Sequence, residues 1–202
     1  MKKIFSIIIA LLGWFAIITQ YDLMIENRVA SITETTIRFF SFFTILTNIL
    51  VAIYMSYQSI RTTPSKTRSN KEGILSAITV YITIVGLVYQ LILRQTWHPE
   101  GFQKIVDELL HSAIPLFVIF YWYQYENKKN ISFKSIPQWL IYPICYLVYI
   151  LLRGSYANFY PYPFMNVLIL GLQQVLINAI ILLVFFVSMS ALFIFTGKKI
   201  AK

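Results

Sequence analysis

Six apolar runs separated by short polar connectors set the pattern of this chain. They cover about residues 4–21, 37–59, 74–93, 107–125, 139–152 and 165–195. Most come near the ~20 mostly apolar residues that a helix needs to cross a bilayer. The connectors carry helix-stopping chemistry. Pro64 lies in a basic stretch, Trp97-His98-Pro99 follows the third run, and Tyr160-Pro161-Tyr162-Pro163 precedes the last. The final run is too long for one untilted span, so its start is expected to tilt or to lie in the interface. The pattern predicts an all-α polytopic membrane protein, with six transmembrane helices in one bundle and residues 1–202 forming a single domain.

Composition sharpens this reading. With 58% hydrophobic and 12% charged residues, the chain is too apolar for an ordinary soluble domain. A net charge of +9 would point to nucleic acid in a soluble protein. Here the basic residues fall in particular loops, 12 on one side of the predicted bundle against 5 on the other. That asymmetry places both termini in the cytoplasm of a plasma membrane and makes the bilayer the partner, with no nucleic acid. Met1-Lys2-Lys3 before the first run mimics a secretory signal. The run is long for a signal and lacks a small-residue cleavage site, so it is expected to stay as the first helix. Cys145 lies inside a predicted span and has no second cysteine to pair with.

Two polar constellations interrupt the apolar runs. The second run carries Ser41, Thr44, Thr47 and Asn48; on one continuous helix, positions 41, 44, 45 and 48 share a face. Such a stripe either faces a cavity or serves packing, because hydroxyl residues in membrane helices commonly bond back to their own backbone. The fourth run carries His111, with Asp107 and Glu108 before it and Pro115 after it. Counted from the predicted helix starts, Thr44 and His111 lie ~10 Å and ~6 Å below the same boundary, close enough to meet. A hydroxyl beside an imidazole is the minimum for nucleophilic acyl transfer.

Supporting roles are open for several neighbours. Asn48 can donate to an oxyanion. Glu108, three residues before His111, can orient the imidazole; equally, Asp107 and Glu108 suit the positive end of a helix. Tyr160 and Tyr162 either cap a cavity or anchor at the headgroups, and the anchoring role is the more ordinary one. Glu108-x-x-His111 has the spacing of a di-iron ligand pair, but such sites need two of these motifs, and the chain has only two histidines. No metal and no other cofactor is therefore expected.

Phe43-Thr44 in a hydroxyl-bearing second helix, His111 with Pro115 in the fourth, and Tyr162-Pro163-Phe164 before the last resemble the androgen-inducible family of six-pass integral-membrane threonine hydrolases. That family includes many bacterial members, and its animal members hydrolyse fatty acid esters of hydroxy fatty acids. The resemblance implies a bacterial plasma-membrane hydrolase of lipid or fatty acid esters. Thr44 would be the nucleophile, with Thr47 its rival, and His111 the base. The orientation set by the basic residues, with the depths of Thr44 and His111, has the pocket open toward the outer leaflet. The alternative is a non-catalytic carrier or sensor of a lipid or small apolar ligand that uses the same pocket.

Overall fold

The structure, a computed structural model, describes residues 1–61 and 73–201, so most of the basic 61–71 loop lies outside the described residues. It is 84% helical, with no strand among the described residues. The helices are α1 (Lys2–Glu26), α2 (Ile32–Phe39), α3 (Phe43–Ile60), α4 (Ile74–Leu91), α5 (Gly101–Glu108), α6 (Ile114–Tyr125), α7 (Ile136–Ala157) and α8 (Val167–Ile200). A π-helical turn, Leu109–Ala113, joins α5 to α6. Six segments are long and apolar enough to cross a membrane: α1, α3, α4 with the turn after it, α5 through α6, α7, and α8. The chain is an all-α polytopic bundle.

α4 is the centre of the bundle. It has no charged residue, and its apolar side chains surround the whole helix, the pattern of a helix buried on every face. Of its membrane window, 72% is buried, against 17% for α7 and 28% for α8. α3, α6 and α8 pack around α4, and α1 lies against α3 and α6. Gly13 lets α1 approach α3 closely, since a Cβ there would stand 3.2 Å from the Ala52 Cβ. Without a hydrophobic drive between helices in lipid, such small-residue contacts are what bring helices together.

Three interruptions depart from the expected runs. The second run is not one helix: α2 ends at Phe39, and α3 starts at Phe43. Ser41 therefore does not share a helical face with Thr44. The fourth run begins earlier than expected, at Gly101, and contains the π turn. The last run breaks at Gly171, whose φ of 75° only glycine adopts easily, so its first four residues point apart from the remainder.

Backbone groups freed inside the membrane must find partners there. Pro143 within α7 has no N–H to give the Trp139 carbonyl, and the Tyr81 hydroxyl of α4 donates to that carbonyl at 2.5 Å. On α2, outside the spans, Glu34 accepts from Arg38 at 2.8 Å and from Arg153 of α7 at 2.7 Å. These two guanidinium groups hold the Glu34 carboxyl below the usual carboxylate range, Arg38 having the larger effect.

Candidate functional site

The break between α2 and α3 creates the site. Residues 40–42 leave the helix, and three tyrosines satisfy what this exposes. The Ser41 carbonyl accepts from Tyr146 at 2.8 Å, the Ser41 hydroxyl lies 3.3 Å from Tyr149, and the Thr44 N–H donates to the Tyr162 phenol oxygen at 3.3 Å. The Ser41 hydroxyl also donates back to Ile37 at 2.7 Å. Ser41 is thus a structural pin for the break.

Thr44 differs from the hydroxyl residues that bond back to their own helix. Thr79, Thr83, Ser190 and Thr196 each donate to the carbonyl four residues back. Thr44 is the second residue of α3, so the residue four back is outside that helix. Its Oγ1 lies 3.4 Å from the Tyr162 hydroxyl. The start of α3 also aims the positive end of a helix dipole at this position, where the Tyr162 oxygen takes the Thr44 N–H. Thr47, the rival nucleophile, is fully buried and lies 3.0 Å from the Tyr142 hydroxyl.

His111 is held in the π turn. The Ile114 N–H reaches back to Leu109, five residues away. In that register the Leu110 carbonyl would take the N–H of residue 115, but Pro115 has none. Asn48 of α3 supplies the missing donor: its Nδ2 lies 3.3 Å from the Leu110 carbonyl and 2.9 Å from that of Thr44. One amide therefore ties the Thr44 helix to the His111 turn. Gly86 of α4 completes the fit, because a Cβ there would sit 3.1 Å from the His111 carbonyl.

The imidazole is oriented on two sides. Its Nδ1 lies 2.9 Å from the Asp107 carbonyl oxygen and 3.3 Å from Asp107 Oδ1. Its ring stacks on Tyr89, with centroids 4.2 Å apart. When Nδ1 carries the proton and donates to Asp107, Nε2 is left as the basic nitrogen. Asp107 is 5% exposed, and its Oδ2 has no hydrogen-bond partner.

Two cavities meet at Thr44. One, of about 310 Å³, is apolar; its polar lining residues are Thr44, Tyr146 and Tyr162. The other, of about 770 Å³, holds His111, Asp107 and Tyr89 together with Gln20, Asn27 and Gln103. Thr44, Leu93 and Tyr162 line both. Tyr162 is 8% exposed and stacks on Phe164, so it is a wall between the cavities rather than a headgroup anchor. Burial pushes its phenol above the ordinary tyrosine value, which keeps the hydroxyl protonated.

Of the residues singled out in the sequence, Thr44, His111 and Tyr162 line one cavity, and Thr44 and Tyr162 are in direct contact. Ser41, Thr47, Asn48 and Glu108 line neither cavity. The Asn48 amide is spent on carbonyls rather than aimed at a reacting oxygen. Glu108 does not orient His111; it bonds Arg94 and accepts from Ser112 at 2.6 Å. Asp107 takes that role, and its spacing of four from His111 was the signal for it. Tyr89, Tyr146 and Tyr149 carried no local signal. Among the described residues, no group of three His, Cys, Asp or Glu side chains is placed to hold a metal ion. No protein-family model, curated protein or solved structure matches the chain.

Proposed function

We propose that this protein is an integral-membrane lipid ester hydrolase with Thr44 as nucleophile and His111 as general base. The observation that carries the proposal is the position of Thr44. Its hydroxyl is not spent on the helix backbone, and it stands where an apolar cavity meets one holding an oriented imidazole. The apolar cavity suits an acyl chain, and the larger one suits the alcohol portion.

In this mechanism His111 Nε2 takes the Thr44 proton as Oγ1 attacks the ester carbonyl. The oxyanion forms beside the Tyr162 hydroxyl and the first turn of α3, both sources of positive potential. Collapse breaks the bond to the alcohol oxygen, which receives the proton from His111, and leaves the acyl group on Thr44. Water, deprotonated by His111, then releases the carboxylic acid and restores Thr44. Asp107 acts through His111 as a positioning residue. The resemblance to the androgen-inducible threonine hydrolases supports the same two residues. The basic asymmetry along the chain supports cytoplasmic termini, and the resemblance supports a bacterial plasma membrane.

The test is labelling of the purified protein by a fluorophosphonate, with the modified residue mapped by mass spectrometry. Thr44 is the expected site. Thr44→Ala abolishes labelling and ester turnover, whereas Thr44→Ser keeps part of both, because the attacking oxygen survives. His111→Ala is as damaging as Thr44→Ala, and the double variant is no worse than either, since residues acting as one unit are not additive. A folded Thr44→Ala protein with wild-type labelling and turnover overturns the proposal. The absence of labelling in the wild-type protein favours the carrier or sensor instead.

A further inference from the structure

We infer that the alcohol portion of the substrate is neutral and hydroxyl-bearing, as in a glycerol ester, and carries no carboxylate or phosphate. This inference rests on the hydrolase reading and concerns the larger cavity. It departs from the substrates that the family resemblance implies, because an ester of a hydroxy fatty acid bears a free carboxylate.

The lining of that cavity argues for it. Among the described residues, its formally charged members are Glu100 and Asp107, both acidic, and neither lysine nor arginine lines it. The nearby Arg94 is bound to Glu108 and, at 2.5 Å, to Gln90. His111 has to be neutral to act as the base. A carboxylate or phosphate entering this concavity would lose water, gain no cation and face two acidic side chains.

A hydroxyl group fares differently. Gln103 Nε2 donates to Gln20 Oε1 at 2.7 Å, which leaves the Gln20 amide donors and the Gln103 carbonyl oxygen to serve a ligand. Such a donor and acceptor side by side match an alcohol, which both gives and accepts a hydrogen bond. A cation is less well served. Asp107 faces the imidazole through Oδ1 and is buried too deeply for a bulky cation to reach, and Glu100 sits at the solvent-exposed rim.

The experiment compares four esters of one acyl chain, those of glycerol, glycerophosphate, a 2-hydroxy acid and choline, on the full chain in a neutral detergent. The expected kcat/KM for the glycerol ester exceeds that of each anionic ester by ~10-fold or more, the scale of a buried like-charge contact. Glu100→Lys narrows that gap. Equal or faster turnover of an anionic ester, or a choline ester faster than the glycerol ester, overturns the inference and leaves the hydrolase reading standing. If Thr44 still labels but the glycerol ester is not cleaved, the inference also falls alone. If neither labelling nor any turnover occurs, the hydrolase reading falls first and takes this one with it.

Discussion

The tie made by Asn48 separates stability from function and can be tested by Asn48→Ala. The substitution removes the donor to the Leu110 carbonyl, a buried acceptor that Pro115 cannot serve. An unpaired buried carbonyl costs about 1–3 kcal/mol. The same substitution removes Asn48 Oδ1, which is itself buried without a partner, and so returns a similar amount. The Thr44 carbonyl remains in the helical ladder of α3. The two effects nearly offset, and the net change in stability is expected to stay within about 2 kcal/mol. On the hydrolase reading, catalysis has no such offset. Without the amide, the turn carrying His111 is no longer tied to the helix carrying Thr44, and a shift of ~1 Å in a catalytic group costs on the order of 100-fold in rate. Thermal unfolding of the purified protein, read beside ester turnover, gives both quantities. The expected variant melts close to the wild type while its kcat falls about 10- to 100-fold. A wild-type kcat refutes the tie, and a loss of stability well beyond ~3 kcal/mol refutes the offset.

Two further outcomes follow from the site and its surroundings. Asp107→Asn keeps the size of the side chain but removes the carboxylate facing His111 Nδ1, so kcat should fall about 10-fold or more with KM and melting temperature little changed; an unchanged kcat would remove Asp107 from the mechanism. The Glu34 carboxyl, depressed by Arg38 and Arg153, adds stability that is present above the ordinary carboxylate value of about 4.3 and is lost as pH falls through its lower folded value. Glu34→Gln should therefore flatten the acid limb of a melting-temperature profile, and superimposable profiles would refute this.

The sequence made the membrane architecture legible because the apolar runs are long and the connectors are short. It also marked Thr44 and His111 as polar groups in costly surroundings. The depth argument that joined them began from the wrong helix starts, since Thr44 opens a helix and His111 lies ten residues beyond Gly101. The break at 40–42 was hidden because that stretch contains neither glycine nor proline. Its cause is remote: tyrosines more than 100 residues away take the freed backbone groups. The π turn was hidden for a related reason. Pro115 announces a disturbed helix, but the amide that makes the π register tolerable sits on α3. Asp107 and Glu108, four and three residues before His111, share a helical face with it by spacing alone, and only the Arg94 and Ser112 partners of Glu108 separate the two. Tyr162 looked like a headgroup anchor because its burial depends on the whole bundle.

The tyrosine-sealed break also bears on how the chain is made. During synthesis the second apolar run reaches the bilayer well before Tyr146, Tyr149 and Tyr162 exist. In lipid, a backbone carbonyl or N–H without a partner is expensive, and a continuous helix through residues 40–42 is the way to avoid that cost. The run is therefore expected to enter unbroken, with Thr44 mid-helix and its hydroxyl bonded back to residue 40. Only when α7 and the Tyr162 connector dock can the helix part, lifting that hydroxyl into the junction of the cavities. On the hydrolase reading, the nascent chain would be chemically silent until its last third is in place, and the site would be a product of the completed bundle.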